Sequence, residues 1–214
     1  MALTINTGTS TIANAGIIEA AGAGGVSVLS AVNNTGRLIA DGGALTVDAA
    51  VTGTGVASVA NATLTFASSF SQNVTFGGAY GELVLAQSQG YAGTVSDFSK
   101  TGATTVDLED IAFIGGTTKA TYAGTTTSGV LTVTDGTHTA EIKLAGNYTT
   151  STFTVLTDGH GGTIVADPPK TAVAASPHPF VAAMAAFGAA DGVGPAVMGA
   201  EASNRQTMLS APRV

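Results

Sequence analysis

The sequence predicts an all-β chain: a parallel β-solenoid (β-helix) with coils of about 19 residues, capped by an antiparallel β-hairpin meander and followed by a short C-terminal helix or a disordered tail. Three observations lead there. Apolar triplets recur at a constant step, since "VSV" at Val26–Val28, "LTV" at Leu45–Val47, "LTF" at Leu64–Phe66 and "LVL" at Leu83–Leu85 start 19 residues apart. The composition suits many short strands joined by tight turns, with 29 glycines in 214 residues and only 10% charged residues. Two Asp-Gly pairs, Asp135-Gly136 and Asp158-Gly159, each sit between alternating apolar runs, the short-range signal of a β-hairpin.

Residues 1–100 carry the repeat. In a strand, residues i and i+2 face the same side, so Leu45 and Val47 point inward while Thr46 points out. Repeating that pair at a fixed offset stacks Val26, Leu45, Leu64 and Leu83 as one ladder. Val32, Val51 and Phe70 keep the same step, and Leu38, Ala57, Phe76 and Val95 follow it more loosely. "NAGIIEA" at 14–20 echoes "NTGRLIA" at 34–40. Gly24-Gly25, Gly42-Gly43 and Gly77-Gly78 separate the rows. A β-sandwich also has evenly spaced strands, but it does not demand one offset in two separate rows. Stacked coils do.

Residues 101–169 form a second region. "VSDFSKTGATTVDLEDIAF" at 95–113 breaks the period, and "VLTVTDGTHTAEIKL" and "TFTVLTDGHGGTIVA" each read as two strands around an Asp-Gly turn. Four to six antiparallel strands over 113–166 would close the solenoid, which otherwise ends on unpaired backbone. Residues 170–214 open with a Pro- and Ala-rich linker. Phe180, Met184 and Phe187 then fall at helical spacing ahead of a polar tail.

The phrases "VDLEDIAF" and "GVLTVTDGTHTAEIKLAGNYTTSTFTVLTDGHGGTIVADPP", over about residues 104–169, resemble the C-terminal module of large Gly/Ala/Thr-rich bacterial exoproteins of the adhesin, autotransporter-like and haemolysin-type repeat kind. Residues 8–95 resemble autotransporter-passenger and haemagglutinin-like repeats. The resemblance implies an extracellular or cell-surface protein without an enzymatic site in this part. It also implies export by type I secretion, for which 170–214 would be the uncleaved signal. Haemolysin-type calcium repeats read GGxGxD in tandem, and "DGHGGT" lacks the following Asp.

Charge and residue usage exclude several classes. The formal net charge is −7, and Arg37 is the only basic residue in the first 99 positions, so nothing neutralises phosphates and a nucleic-acid partner is not expected. No apolar run reaches the length of a membrane span, and the first residues show no Sec signal pattern. Cysteine is absent, which removes disulfides and thiol chemistry.

Chemistry-bearing residues are few. His138 and His160 follow the two Asp-Gly turns, and His178 lies in the linker. A metal site needs three or four converging ligands, and turn geometry alone accounts for Asp135 and Asp158. Asp107, Glu109 and Asp110 could offer oxygen ligands to calcium, or line a solvated face; no other cofactor is expected. A glycan-active lyase or hydrolase, or a glycan-binding module, is the rival reading. However, the chain has no Trp and four Tyr with which to platform sugars. Outward positions Ser27, Thr46, Thr65 and Val84 are too irregular for an ice-binding row. The expectation is therefore a non-catalytic, secreted or surface-exposed structural or adhesive module. Its partners would be copies of itself, neighbouring repeats of a larger surface protein, or a glycan or surface ligand.

Overall fold

The computed structural model describes residues 1–168; the helix and tail expected over 170–214, with His178, lie outside the described residues. Stacked coils of about 20 residues form a parallel β-solenoid of about five turns. The first coil holds β1 (Leu3–Ile5), β2 (Ile12–Asn14) and β3 (Ile17–Ala21); the second holds β4 (Val26–Val28), β5 (Val32–Asn34) and β6 (Arg37–Asp41). The third holds β7 (Leu45–Val47), β8 (Val51–Thr52) and β9 (Val56–Ala60), and the fourth β10 (Thr63–Phe66) and β11 (Asn73–Phe76). The fifth holds β12 (Gly81–Leu85), a 3-10 turn at Ser88–Gly90 and β13 (Thr94–Ser96). After β14 (Thr104–Leu108) come β15 (Lys119–Gly124), β16 (Ser128–Thr134), β17 (Thr139–Ala145), β18 (Thr154–Thr157) and β19 (Thr163–Ala166).

Three sheets result. The first runs β1-β4-β7-β10-β12-β14-β19-β18, the second β3-β6-β9-β11-β13-β17-β16-β15, and the third β2-β5-β8. Register places Val26, Leu45, Leu64 and Leu83 in one column of the first sheet, all buried. Val32 pairs with Val51 in the third sheet. The Val51 N–H then donates to the Ser69 carbonyl at 2.9 Å, which sets Phe70 next in that column although no strand forms there. The Phe70 ring stacks on Phe66 with centroids 3.6 Å apart and on Tyr91 at 5.9 Å. Wide rings thus take over the column where the third sheet stops.

The looser row slips. Ala57 faces Val74, while Phe76 lies opposite Val59. The fourth coil is two residues short here, because Val56 pairs with Asn73. A slip of two preserves the inward face, whereas a slip of one would turn the strand inside out. Both Val74 and Phe76 stay buried.

The parallel ladder also extends past residue 100. β14 pairs in parallel with β12, bringing Val106 onto Leu83, with a larger loop absorbing the longer step. Only after Leu108 does the chain change character. The closing strands number five, and they do not form one continuous meander. The β15–β17 set joins the second sheet through a parallel β13–β17 pair, and β18–β19 joins the first through an antiparallel β14–β19 pair.

One corner is held by amides. Asn14 Nδ2 donates to Asn34 Oδ1 at 2.7 Å, and Asn34 Nδ2 donates to Gln72 Oε1 at 2.8 Å. Gln72 Nε2 donates in turn to the Asn34 and Thr52 carbonyls at 2.9 and 3.0 Å. Gly53 occupies the corner position of the third coil and has no side chain to offer, so the longer Gln72 reaches across two coils to Asn34. Asn34 is fully buried, where an unpaired amide would cost about 1–3 kcal/mol. Next to it, a side chain on Gly36 would collide with the Gly16 carbonyl oxygen of the coil below.

Two substitutions separate the apolar column from the amide corner. Leu64→Ala should lower unfolding free energy by about 2–5 kcal/mol, since it empties a fully enclosed site. Asn34→Ala should cost a similar ~2–6 kcal/mol by orphaning one group each on Asn14 and Gln72 at ~1–3 apiece. Denaturant titration followed by circular dichroism measures both; an unchanged midpoint for either variant would refute its assigned role.

Candidate functional site

The residue types capable of chemistry gather where the solenoid meets its closing hairpins. In the first hairpin, Thr134 pairs with Thr139, leaving the four-residue loop Asp135–His138. Gly136 takes φ +95°, a conformation open to glycine and strained for other residues. The Asp135 carboxylate accepts from the Thr137 N–H at 2.7 Å, the His138 N–H at 2.6 Å and the His138 Nδ1 at 2.9 Å. It also accepts from the Ala112 N–H at 3.2 Å, so it ties this turn to the loop after β14. The His138 N–H and side chain, then the Thr137 and Ala112 N–H groups, hold the Asp135 carboxyl well below the usual carboxylate range.

The second hairpin has a five-residue loop between Thr157 and Thr163, with Gly159 at φ +81°. Asp158 Oδ1 accepts from the His160, Gly161 and Gly162 N–H groups at 2.7, 2.8 and 2.9 Å. Burial pushes the Asp158 carboxyl up, but the His160, Gly162 and Gly161 N–H groups outweigh it and the net direction is down. A side chain on Gly162 would press into the Glu109 backbone and the Asp158 carboxylate. The loop therefore packs closely on the end of β14.

Asp107 and Asp110, at the end of β14, serve different neighbours. Asp110 braces the previous coil: it accepts from the Ser88 N–H at 3.0 Å, the Ser88 hydroxyl, the Gln89 N–H at 3.2 Å and the Gln89 side-chain amide at 3.2 Å. Asp107 faces outward between Val84 and Ile164, yet the second hairpin loop covers it to 8% exposure. Its Oδ1 has no hydrogen-bond partner among the described residues. Burial, then the Asp158, Glu82 and Glu109 carboxylates, push the Asp107 carboxyl up to about 6, against the opposing effect of His160. Among the described residues, no group of three or more His, Asp or Glu is arranged to hold a metal ion. His138 stays on Asp135 while His160 lies beside Asp107, so the two histidines serve separate turns.

Concave surface is shallow. A cleft of about 460 Å³ lies between the 3-10 turn and the β16–β17 hairpin, lined by Gln89, Tyr91, Glu141 and Lys143. Lys143 Nζ donates to the Ala92 carbonyl at 3.2 Å there, and Tyr91 points its hydroxyl inward to the Gln72 carbonyl at 3.0 Å. Neither a nucleophile–base pair nor an exposed aromatic platform faces this cleft. The first sheet's outward row is Thr4, Ser27, Thr46, Thr65, Val84 and Asp107, in which hydroxyls give way to Val84 and a carboxyl.

Sequence reasoning missed the Asn14–Asn34–Gln72 corner. The "NAG"/"NTG" echo carried the signal for its first two members, and the 19-residue step from Asn34 through Gly53 reaches the third, Gln72, whose different residue type hid it. Among the described residues, no helix is long and apolar enough to cross a membrane. No protein-family model, curated protein or solved structure matches this chain.

Asp107 and Asp135, both buried, give stability opposite pH dependences. Folded Asp107 keeps its proton up to about pH 6, whereas an unfolded carboxyl loses it near the ordinary value of 3.8. Stability on this account falls as pH rises from about 4 to 6. Asp107→Asn should remove that slope and raise Tm at pH 7 by at least about 2–4 °C, equivalent to ~1 kcal/mol. Asp135 is depressed, so its contribution is present above the ordinary carboxylate value and lost as pH falls below it. Asp135→Asn should lower Tm at pH 7 and flatten the acid limb below pH 4. Thermal melts from pH 3 to 8 test both, and a lowered neutral Tm for Asp107→Asn would refute the assignment.

Proposed function

We propose that this chain is a non-catalytic structural and adhesive module, displayed outside a bacterial cell as part of a stalk or surface-contact layer. The observation that carries this reading is how its carboxylates are used. Asp110 and Asp135 spend both oxygens, and Asp158 its Oδ1, on backbone N–H groups that brace turns. A carboxylate acting as acid, base or cation ligand needs free lone pairs directed at a ligand. Repeated coils supply length and stiffness from small residues, which suits a load-bearing element. Secretion rests on the resemblance of residues 104–169 to bacterial exoprotein modules, with the tail as the export signal.

A panel of neutral and acidic polysaccharides discriminates this from a glycan-active enzyme. The expected outcome is no release of reducing ends or unsaturated products above a heat-denatured control. Turnover abolished by Glu141→Gln or Lys143→Met, which line the cleft beside the 3-10 turn, would sink the structural reading. Export is tested separately: in a host carrying a type I exporter, the full chain should reach the medium, and a chain ending at residue 169 should stay inside.

A further inference from the structure

The outer face of the second sheet sets three unpaired charges on an apolar ground. Register places Ile17, Arg37 and Val56 in one outward column. Glu19, Ile39 and Ser58 form the next column, and Ala21, Asp41 and Ala60 the third. Ile17 and Val56 are exposed at 59% and 41%. The small residues beside them leave a shallow depression of about 370 Å³. Among the described residues the one ion pair is His138–Asp135, so Arg37, Glu19 and Asp41 pair with nothing. Arg37 and Asp41 lie on the same strand, four residues apart and thus ~13 Å apart, too far to meet within one chain. Ile39 sits midway between them.

We propose that this face pairs with the same face of a second copy of the chain, about a two-fold axis that crosses the strands over Ile39. Such an axis reverses strand direction between the copies and lays Ile39 on the partner's Ile39. Arg37 then meets the partner's Asp41, and Asp41 meets the partner's Arg37, as an isologous contact requires. Ile17 covers the partner's Ala21 and Val56 covers the partner's Ala60, large on small in each case. One contact opposes the arrangement, since Glu19 meets the partner's Glu19. A foreign partner would need no such symmetry: opposite charges equidistant from an apolar centre on one strand are what self-recognition demands. The patch spans roughly 300 Å² per copy, against the ~800 Å² per partner of a stable complex, so the association is weak. It is a lateral contact suited to many modules held side by side. It rests on the reading of the chain as a structural module only for its purpose, not for its geometry.

Sedimentation equilibrium of the full chain from low-micromolar to millimolar concentration tests the pairing. The wild type should show a monomer–dimer equilibrium that weakens with added salt. Arg37→Glu alone, and Asp41→Arg alone, should each lower the association constant about tenfold or more, by removing two pairs and creating two repulsions. The double variant R37E/D41R should recover the wild-type constant to within about threefold, and Glu19→Gln should tighten the dimer. All three side chains are exposed, and circular dichroism checks that each variant is folded. A wild type that stays monomeric throughout overturns the pairing, as does a double variant that fails to recover. Either result leaves the module reading intact, whereas polysaccharide cleavage would overturn that reading and leave the pairing untouched.

Discussion

Every coil of this protein depends on its neighbours for its backbone hydrogen bonds. A strand of three residues has no stability of its own, and here it gains its partners only by lying in register on the coil before and the coil after. That requirement explains why residue types repeat in columns. It also explains why the step between coils can vary while the parity of the inward face cannot. The fourth coil loses two residues between Val56 and Asn73, and the step into β14 is longer. Both changes leave the inward positions apolar. Length is absorbed at the corners, where turns and loops tolerate it; the strands do not.

The corners obey the same constraint through different chemistry. Thr35 and Gly36 donate their N–H groups to the Asn14 carbonyl of the coil below at 2.8 and 3.0 Å, and the Gly55 N–H donates to the Asn34 carbonyl at 2.8 Å. Turns that stack this closely leave no room for a Cβ at Gly36. The amide side chains of Asn14, Asn34 and Gln72 then satisfy one another inside the bend. An apolar column and a polar corner thus carry the same register independently, one by area and the other by direction. Apolar packing tolerates a sliding fit; a chain of buried amides does not, because each misplaced group loses its partner.

This division also sets what the sequence shows on its own. Columns built from one residue class at a constant step are legible because periodicity is all that defines them, as with Leu45, Leu64 and Leu83. Phe70 falls in its column without a strand, which sequence spacing shows and secondary-structure propensity does not. The amide corner is half legible: Asn14 and Asn34 repeat within an echoed phrase. Gln72 stands two 19-residue steps beyond Asn34 but is of another residue type, and only the empty position at Gly53 explains its length. Strand β14 hides for a related reason. Its longer step breaks the period, and its acidic residues suggest a ligand site where the fold uses Asp110 as a brace and covers Asp107. The Asp-Gly pairs mark their hairpins plainly, but the loops prove to be four and five residues long because each aspartate must also collect several N–H groups.

The placement of acidic residues follows from whether a turn has a neighbour. Inside the solenoid, a turn's N–H groups find the carbonyls of the adjacent coil, and no carboxylate is needed. Glu19, Asp41 and Asp48 accordingly make no side-chain hydrogen bond among the described residues. Beyond Leu108 the chain reverses direction and no identical turn lies above or below, so the N–H groups of each loop must be met locally. A carboxylate does this best, since one oxygen can accept several donors, as Asp158 Oδ1 does from three consecutive residues. Asp110 applies the same device backwards, to the 3-10 turn of the fifth coil, where the third sheet has already ended. Acidic residues therefore concentrate at the closing end because stacking stops there. The pattern that first suggests a catalytic or calcium-binding cluster is the consequence of ending a repeat.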